Sequence, residues 1–266
     1  MYQSSDQNQQ RFNAAPAASS SVHKLLQSCW RWCCRVALVQ PSVLSYLEPL
    51  IRLVRPSFRA HFSQAALIEL RQTGLFLELT LKPGWRWQGF IPGQHLQLVL
   101  EINGRAISRT FSISSSLQWY QQQGLIKLTI QQQPKGQLTP YLLNYLSGSV
   151  AEDGHVKQPV VHLTNASGDF VLQPQSQPML LLAAGSGVTP LHAMLSSITR
   201  LTQPTLLIYS YRGIRSLLFA ESWRQLQQRF PLLQVQLLDT TGRGRLQPEE
   251  VTGWLADKPN SQIYLC

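Results

Sequence analysis

The fold is decided by the stretch Leu180-Leu-Leu-Ala-Ala-Gly-Ser-Gly-Val-Thr-Pro-Leu-His-Ala-Met194. Its apolar first part predicts a buried strand, and the amphipathic pattern that begins at Leu191 predicts a helix. Gly185 and Gly187 separate the two. A strand, a glycine turn and a helix together point free backbone N–H groups at an anion such as a pyrophosphate. Because the pattern is Gly-x-Gly-x-x-Pro rather than Gly-x-Gly-x-x-Gly, a tight turn without a ligand is the alternative interpretation.

Strand and helix patterns alternate throughout residues 175–266. Apolar runs predict strands, and amphipathic runs between them predict helices. The predicted strands cover residues 179–184, 205–211, 232–238 and 262–265, and the predicted helices cover residues 191–201, 219–230 and 248–255. This alternation predicts an α/β domain with a doubly wound parallel sheet and a glycine turn after its first strand.

Strand patterns dominate residues 61–174, where Gly and Pro turns separate short alternating runs. The predicted strands cover residues 66–71, 75–81, 95–102, 109–113, 125–130, 160–163 and 170–172, and one helix is predicted over residues 138–146. Several short strands at such spacing predict an antiparallel β-barrel. The boundary between the two domains is predicted near residue 174.

The first 60 residues differ in composition from the rest. Residues 1–24 are rich in Gln, Ser, Asn and Ala and predict a disordered tail, because they offer little apolar surface to bury. Residues 25–60 predict a helical extension that is too interrupted by Arg and Pro to span a bilayer. This extension either packs on the main body or lies as a basic amphipathic segment on a membrane surface or a partner.

The net charge is +10, although only 14% of the residues are charged. A basic surface attracts phosphate-bearing ligands, anionic lipid, nucleic acid or an acidic protein. The sequence has no long Lys/Arg run and no helix-turn-helix, zinc-finger or RNP pattern, which argues against a nucleic-acid partner. An acidic protein partner or a phosphate-bearing ligand is therefore favoured.

Cysteine usage indicates a reducing compartment. Three of the four cysteines, Cys29, Cys33 and Cys34, crowd one segment, so no spaced disulfide framework exists. This distribution favours a cytoplasmic protein that could still associate with a membrane. Without a Cys-x-x-Cys pair, a zinc or iron–sulfur site within the chain is not expected.

A second candidate site precedes the α/β domain. Arg109 and Phe111 lie two residues apart, so a strand places both on one face, where a cation and a flat ring meet. Downstream, Gly136 and Thr139 offer a glycine turn, a hydroxyl and the start of a helix, which together suit another anion. The alternative is an ordinary strand followed by an ordinary capped helix.

The order of these motifs resembles the ferredoxin–NADP reductase superfamily from about residue 61 to the end. The motifs that carry the resemblance are Pro92-Gly-Gln-His95, Arg109-Thr-Phe-Ser112, Gly136-Gln-Leu-Thr139, Gly168-Asp-Phe170, Gly185-Ser-Gly-Val-Thr-Pro190 and Tyr264-Leu-Cys266. Within that superfamily, the chain is most similar to flavin reductase modules that serve bacterial fatty-acid desaturases and hydroxylases.

The resemblance implies that the barrel binds FAD. Arg109 would bind the flavin phosphates, Phe111 would stack on the isoalloxazine ring, and Ser112 would lie near its reactive nitrogen. The family usually has Tyr where this chain has Phe111, so a hydrogen bond to the ribityl chain is lost. The remaining implied contacts are the pyrophosphate turn and the adenylate side, at Gly136, Leu138, Thr139, Ile130 and Gln131.

The resemblance also implies that the α/β domain binds NADPH, with NADH as the alternative. The nicotinamide-cofactor turn would comprise Gly185, Gly187, Val188, Thr189 and Pro190. Ser210 and Arg212 end the next strand, where the family reads the adenosine ribose. A guanidinium there suits a 2′-phosphate. By resemblance, Ser112, Thr189 and Cys266 are the catalytic residues beside the reacting rings.

These implications predict an oxidoreductase that passes electrons from NAD(P)H through FAD to a ferredoxin-type or other redox partner. The family continues beyond the final Cys266, so we expect either that the chain is truncated there or that it naturally lacks the final turn. A [2Fe–2S] cluster would then belong to a partner or to a missing C-terminal domain. A non-catalytic flavin-fold module and a basic protein that binds membrane surfaces are the alternatives.

Overall fold

The computed structural model describes residues 47, 49–51, 53, 62–102, 105–133, 136, 138–147 and 160–266. Residues 62–266 form one compact unit, and the preceding residues belong to another. In that other unit, residues 47, 49–51 and 53 have helical backbone. The predicted tail 1–24 and most of the predicted extension 25–60 lie outside the described residues. No helix within the described ranges is long and apolar enough to cross a bilayer.

The first half of the compact unit is an antiparallel barrel, as predicted. Its strands are β1 (Ser63–Thr73), β2 (Phe76–Pro83), β3 (His95–Ile102), β4 (Arg105–Ser112), β5 (Ile126–Gln131) and β6 (Val160–Leu163). Their order in the sheet is β4-β3-β6-β1-β2-β5. A bridge between Ile113 and Leu128 joins the end of β4 to β5 and so brings the two edges together.

Alternation builds the barrel core, as the sequence predicted. Leu77, Leu79 and Leu81 of β2 are fully buried, as are Leu96 and Leu98 of β3. Side chains of a strand alternate between its two faces, so a Leu at every second position lines one side of the sheet. This packing fixes the register of each strand, because a slip of one residue would expose that row.

Two helices accompany the barrel strands, α1 (Leu117–Gln123) and α2 (Leu138–Ser147). The sequence predicted only α2. The Ser116 hydroxyl caps α1 by accepting a hydrogen bond from the Trp119 amide at 3.2 Å, and Gly124 ends the helix at a φ of +67°. None of the residues of α1 is buried, so it has no apolar period that could have revealed it.

The prediction of a strand at residues 170–172 was wrong, since no strand is found there. Phe170 and Leu172 instead pack against the core of the second domain. The Phe170 ring meets Tyr264 edge-on with ring centroids 6.0 Å apart. The Tyr264 hydroxyl accepts a hydrogen bond from the Gln173 amide at 2.9 Å, which secures the segment that joins the two domains.

The second half is a parallel sheet between helices, as predicted. Its strands are β7 (Met179–Ala184), β8 (Thr205–Tyr211), β9 (Leu233–Asp239) and β10 (Gln262–Leu265), in the order β10-β7-β8-β9. Its helices are α3 (Val188–Ser197), α4 (Ala220–Arg229), α5 (Thr240–Arg243) and α6 (Glu249–Asp257). Leu207 and Tyr209 of β8 share a core with α3 and α4, whereas Leu206 and Ile208 share another with residues of α6. Sequence reasoning missed α5 and started α3 three residues too late.

The two halves share part of their cores. Phe76 of β2 is 1% exposed and belongs to the core of the parallel-sheet domain. The Leu75 amide donates a hydrogen bond to the Arg215 carbonyl at 3.1 Å. The barrel is therefore joined to the sheet by apolar packing and by backbone hydrogen bonding.

Candidate functional site

A cavity of about 450 Å³ opens at the carboxyl ends of β7 and β8. Ligands of open α/β sheets bind at this edge, outside the carboxyl ends of the strands. The predicted site residues that line the cavity are Gln131, Gly185, Ser210, Arg212 and Cys266. Residues from the barrel, from β7, from β8 and from β10 thus face one space.

The two glycines of the turn have different surroundings. Gly185 has a φ of +56°, and a Cβ atom added there would meet nothing within 4 Å. Gly185 therefore gives the backbone an open approach to the cavity. A Cβ atom on Gly187 would lie 2.5 Å from the backbone carbon of Cys266. Gly187 is thus required by the close passage of the chain after β10 rather than by the open cavity.

The first turn of α3 follows these glycines. The Thr189 hydroxyl is buried and donates to the Ser186 carbonyl at 2.9 Å, which stabilises the turn. Val188 is fully buried in the core, and Pro190 is buried in the first turn. Because the Val188 side chain is buried, Val188 could contact a cofactor only through its backbone.

Two guanidinium groups border the cavity, those of Arg212 and Arg245. Both side chains are exposed. In the described part of the chain, neither guanidinium lies within salt-bridge distance of a carboxylate. Ser210 of β8, two residues before Arg212, is partly buried. The cavity therefore combines an open glycine turn with two cations that are free to meet phosphate.

The turn after β8 is supported from the neighbouring strand. The Asp239 carboxylate accepts hydrogen bonds from the Thr241 amide at 2.9 Å and the Gly213 amide at 3.0 Å. These two bonds lower the pKa of Asp239. The Ser216 hydroxyl oxygen also accepts from the Arg212 amide, at 2.8 Å. Asp239 is therefore committed to holding the backbone beside Arg212.

Cys266 reaches the cavity at the end of β10. Its amide donates to the Leu182 carbonyl at 2.9 Å, and its carbonyl accepts from the Ala184 amide at 3.0 Å. Burial raises the pKa of the Cys266 thiol, which therefore stays protonated at neutral pH. The residue is held at the edge of the site by backbone bonds.

The predicted flavin residues lie along β4. Arg109 is exposed, and its Nη1 atom donates to the Ser108 carbonyl at 2.8 Å. Phe111 is partly buried against the barrel core, and Ser112 pairs with His95 at the end of the strand. Arg109 and Phe111 lie two residues apart on β4 and therefore belong to the same face of the strand.

The turn before α2 is closed by its own polar groups. The Thr139 hydroxyl donates to the Gln133 carbonyl and accepts from the Gln133 amide, both at 3.0 Å. The Gly136 amide also donates to the Gln133 carbonyl, at 2.8 Å. Leu138 and Ile130 are buried in the barrel core, so their side chains anchor the two ends of this segment in that core.

These features suit a flavin dinucleotide and a nicotinamide dinucleotide. The barrel offers an exposed guanidinium, a partly exposed ring and a tight turn at a helix N-terminus, which are groups that bind phosphates and a planar ring system. The Gln132 Nε2 atom is buried and lacks a hydrogen-bond partner among the described residues, so a polar ligand atom would satisfy it. The described residues include no cluster of His, Cys, Asp or Glu that could hold a metal ion.

Comparison with known proteins agrees with this geometry. Residues 75–162 match the family model of the oxidoreductase FAD-binding domain. A ferredoxin–NADP⁺ reductase from Neisseria gonorrhoeae with bound FAD and NADP shares the fold, with a TM-score of 0.61 and 15% identity over 78% of this chain and 86% of that chain. The chain thus shares the fold of ferredoxin–NADP⁺ reductases, and its residues 75–162 are similar to oxidoreductase FAD-binding domains.

Two curated members of related systems show how far the sequence similarity extends. An NADPH oxidoreductase from Mycobacterium tuberculosis is 25% identical over 82% of this chain and 57% of that protein. The ferredoxin reductase component of a 3-ketosteroid-9-alpha-monooxygenase from Mycolicibacterium smegmatis is 31% identical over 53% of this chain and 37% of that protein. The chain thus spans 57% of the length of the first protein and 37% of the length of the second.

Sequence reasoning missed several residues of the cavity. The missed residues that line it include Phe76, Tyr211, Ser216, Thr240, Arg245 and Leu246. Arg245 follows β9 in the run Gly242-Arg-Gly-Arg245, where Arg residues between glycines after a strand could have indicated an anion site. Phe76 could not have been found, because only the contact between the two domains brings β2 to the cavity.

Proposed function

We propose that this reductase module carries electrons from NADPH through FAD to a redox protein. Bound FAD supplies the hydride-accepting and single-electron chemistry of such a module. The observation that carries the proposal is one cavity that combines the glycine turn after β7, the carboxyl end of β8 and Gln131 at the end of β5. Gln131, which we assign to the flavin site, thus lines the same space as Gly185 and Arg212, which we assign to the second cofactor.

The protein's own contribution is binding and orientation. Arg109 would hold the flavin phosphates and Phe111 would support one face of its ring system. Gly185 would let the backbone approach the pyrophosphate of the second cofactor. No side chain needs to act as an acid or a base, because the role of the protein is to hold the two rings at transfer distance.

Arg212 and Arg245 support a preference for NADPH over NADH. The 2′-phosphate distinguishes the two cofactors, and guanidinium groups bind phosphate through charge-assisted hydrogen bonds. Asp239 is the last residue of β9, and its carboxylate already accepts hydrogen bonds from the Thr241 and Gly213 amides. Both bonds end on its Oδ1 atom and hold the turn that carries Arg212.

The proposed electron acceptor is an iron–sulfur protein of the ferredoxin type or an oxygenase component. One similar protein is named as the ferredoxin reductase component of a monooxygenase, which supports this class of partner. A role beside a desaturase or a hydroxylase is the finer form of the same proposal. The basic charge of the chain suits an acidic partner.

The test uses the 266-residue protein reconstituted with FAD. We expect NADPH to bleach the flavin under anaerobic conditions and to support reduction of ferricyanide. Arg212→Ala and Arg245→Ala should each lower kcat/KM for NADPH by about 10- to 100-fold, equivalent to the loss of one charged hydrogen bond, and leave NADH nearly unaffected. Arg224→Ala is the control, because Arg224 pairs with Glu221 on the exposed face of α4.

Two results would contradict the proposal. Equal losses with NADPH and NADH would show that the arginines do not read the 2′-phosphate. A protein that binds FAD but is bleached by neither cofactor would instead be a non-catalytic flavin-fold module.

A further inference from the structure

A polar seam joins α3 to α1 and to the loop between β4 and α1. The Leu117 amide donates to the Ser197 hydroxyl at 2.9 Å, and the Gln118 Nε2 atom donates to the Ser197 carbonyl at 2.6 Å. A third bond links His192 Nδ1 to the Ser114 carbonyl at 3.0 Å. The seam therefore ties the helix behind the nicotinamide-cofactor turn directly to the barrel.

His192 is placed close to both cofactor sites in the sequence. It lies two residues after Pro190 of the glycine turn, and Ser114 lies two residues after Ser112 at the end of the flavin strand. A change in the His192–Ser114 distance would thus be passed to both sites through very short stretches of backbone.

The bonding pattern determines the tautomer of His192. A carbonyl oxygen only accepts, so Nδ1 carries the proton that is donated to Ser114. Nε2 is then the acceptor, and the Ser222 hydroxyl lies 2.8 Å from it, with the Ser196 hydroxyl of α3 farther away at 3.3 Å. Because Ser222 belongs to α4, the second bond stays within the parallel-sheet domain, whereas the first crosses to the barrel.

The backbone is strained where it supports this ring. Phe219 has a φ of +58°, and it is the one non-glycine residue with positive φ in the described ranges. Its ring stacks on His192 with centroids 3.8 Å apart and planes at 14°. Trp223 meets His192 edge-on at 5.1 Å. Such strain persists only where the surrounding structure imposes it, and here it fixes the plane of the imidazole.

The pair Ser222–His192 also has the geometry of a nucleophile and its base, beside a cavity of about 330 Å³. Burial outweighs the other influences and lowers the pKa of His192 to about 4. A ring that resists protonation so strongly is a poor general base at neutral pH. The Ser222–His192 pair is therefore suited to fixing the position of the imidazole ring rather than to catalysing hydrolysis.

We propose that His192 is a positioning residue that sets the glycine turn and α3 against the flavin strand through its bond to Ser114. This inference rests on the proposed function and adds to it a specific residue that aligns the two cofactors. Because transfer between two rings depends steeply on their relative placement, a small shift at the seam lowers the rate without removing either binding site.

Three variants separate this role from simple stabilisation. His192→Leu fills a similar volume but removes every hydrogen bond of the ring. His192→Asn keeps a donor close to the position of Nδ1 and so preserves the bond to Ser114. Ser222→Ala removes the nearer hydroxyl from Nε2, keeps the Ser196 hydroxyl at 3.3 Å and leaves the bond to the barrel intact.

The first measurement is stopped-flow reduction of the FAD-reconstituted protein by NADPH. We expect His192→Leu to lower the limiting rate about tenfold with the NADPH Kd within about twofold. His192→Asn should restore the rate, and Ser222→Ala should match the wild type. A Leu variant with a lower Tm but an unchanged limiting rate would overturn the inference, as would an Asn variant as slow as the Leu variant.

The second measurement needs no turnover. Hydrogen exchange of residues 113–120, followed by mass spectrometry, should be faster in His192→Leu than in the wild type and normal in His192→Asn. If the wild type is not reduced by NADPH, the proposed function fails, and exchange still tests the seam. Unchanged exchange in His192→Leu would overturn the inference by itself.

Discussion

Among single residues, Arg109 makes the most direct prediction for flavin binding. Its guanidinium is exposed on β4 and is bonded only to the adjacent Ser108 carbonyl among the contacts described above. Arg109→Ala should weaken FAD binding by about 1.5–3 kcal/mol, because it removes a charge-assisted hydrogen bond to phosphate. The FAD dissociation constant, measured by fluorescence titration of the apoprotein, checks this.

The matched control for Arg109 is Arg224→Ala, which removes the same charge from the surface of α4. If both variants lose FAD affinity to the same extent, long-range charge and not a specific phosphate contact explains the loss. If Arg109→Ala retains full affinity, the assigned role of Arg109 is wrong.

At the scale of one element, the strand, turn and helix formed by β7, the glycines and α3 predict two different phenotypes. Gly187→Ala should lower Tm by several degrees, because a Cβ atom would lie 2.5 Å from the Cys266 backbone and overpacking costs about 1–3 kcal/mol. Gly185→Ala meets open space but has a φ of +56°, so it should cost about 1–2 kcal/mol through strain. Its methyl group would also enter the cavity and weaken NADPH binding.

Thermal denaturation without cofactor and NADPH titration together test these phenotypes. Gly187→Ala should show the larger loss of Tm, and Gly185→Ala the larger loss of NADPH affinity relative to its Tm. The opposite order would mean that the open and crowded sides of the turn are exchanged.

The elements were predictable from sequence where a period was present. β2 and β5 alternate cleanly, and β7 and β8 are continuous apolar runs, so each was placed within a residue or two. Helix α1 was missed because no residue of it is buried, and α5 was missed because it has only four residues. The stretch 170–172 was apolar for a different reason, since it packs against the sheet domain without joining a sheet.

The site was predictable only in part. Local order in the sequence was enough to indicate Gly185 and Arg212, because each directly follows a strand that points at the cavity. Arg245 was missed because its approach to the cavity depends on how β9 and the loop after it fold back. The Gly-x-Gly pattern could not show that Gly187 serves the packing of Cys266, since that contact spans almost 80 residues of sequence.

For the whole molecule, the seam predicts how stability depends on pH. The pKa of His192 falls from 6.5 to about 4 on folding, mainly because of burial. The unfolded chain therefore binds more protons than the folded protein between these pH values. The contribution of His192 to the free energy of unfolding should be fully present above about pH 6.5. It should decrease as the pH falls toward 4, by at most about 1.4 kcal/mol per pH unit.

Urea denaturation at pH 7.5 and pH 5.5 measures this dependence. His192→Asn should show a smaller decrease than the wild type, because Asn does not titrate. Glu78 raises and Lys127 lowers the pKa of His192, and these two side chains form an ion pair at 2.8 Å. Because the pKa of Asp239 is lowered from 3.8, its contribution to stability is lost only as the pH falls below that value. An identical decrease in both proteins would show that other groups control stability in this range.

Phe76 limits how such a protein could be assembled from interchangeable modules. It belongs to β2 by sequence, yet its side chain is buried in the core of the parallel-sheet domain. A chimera joined at the linker near residue 174 would insert this ring into a foreign core or leave its own pocket empty. Recombination with a distant reductase would therefore be tolerated only where the foreign sheet domain offers a pocket that fits Phe76.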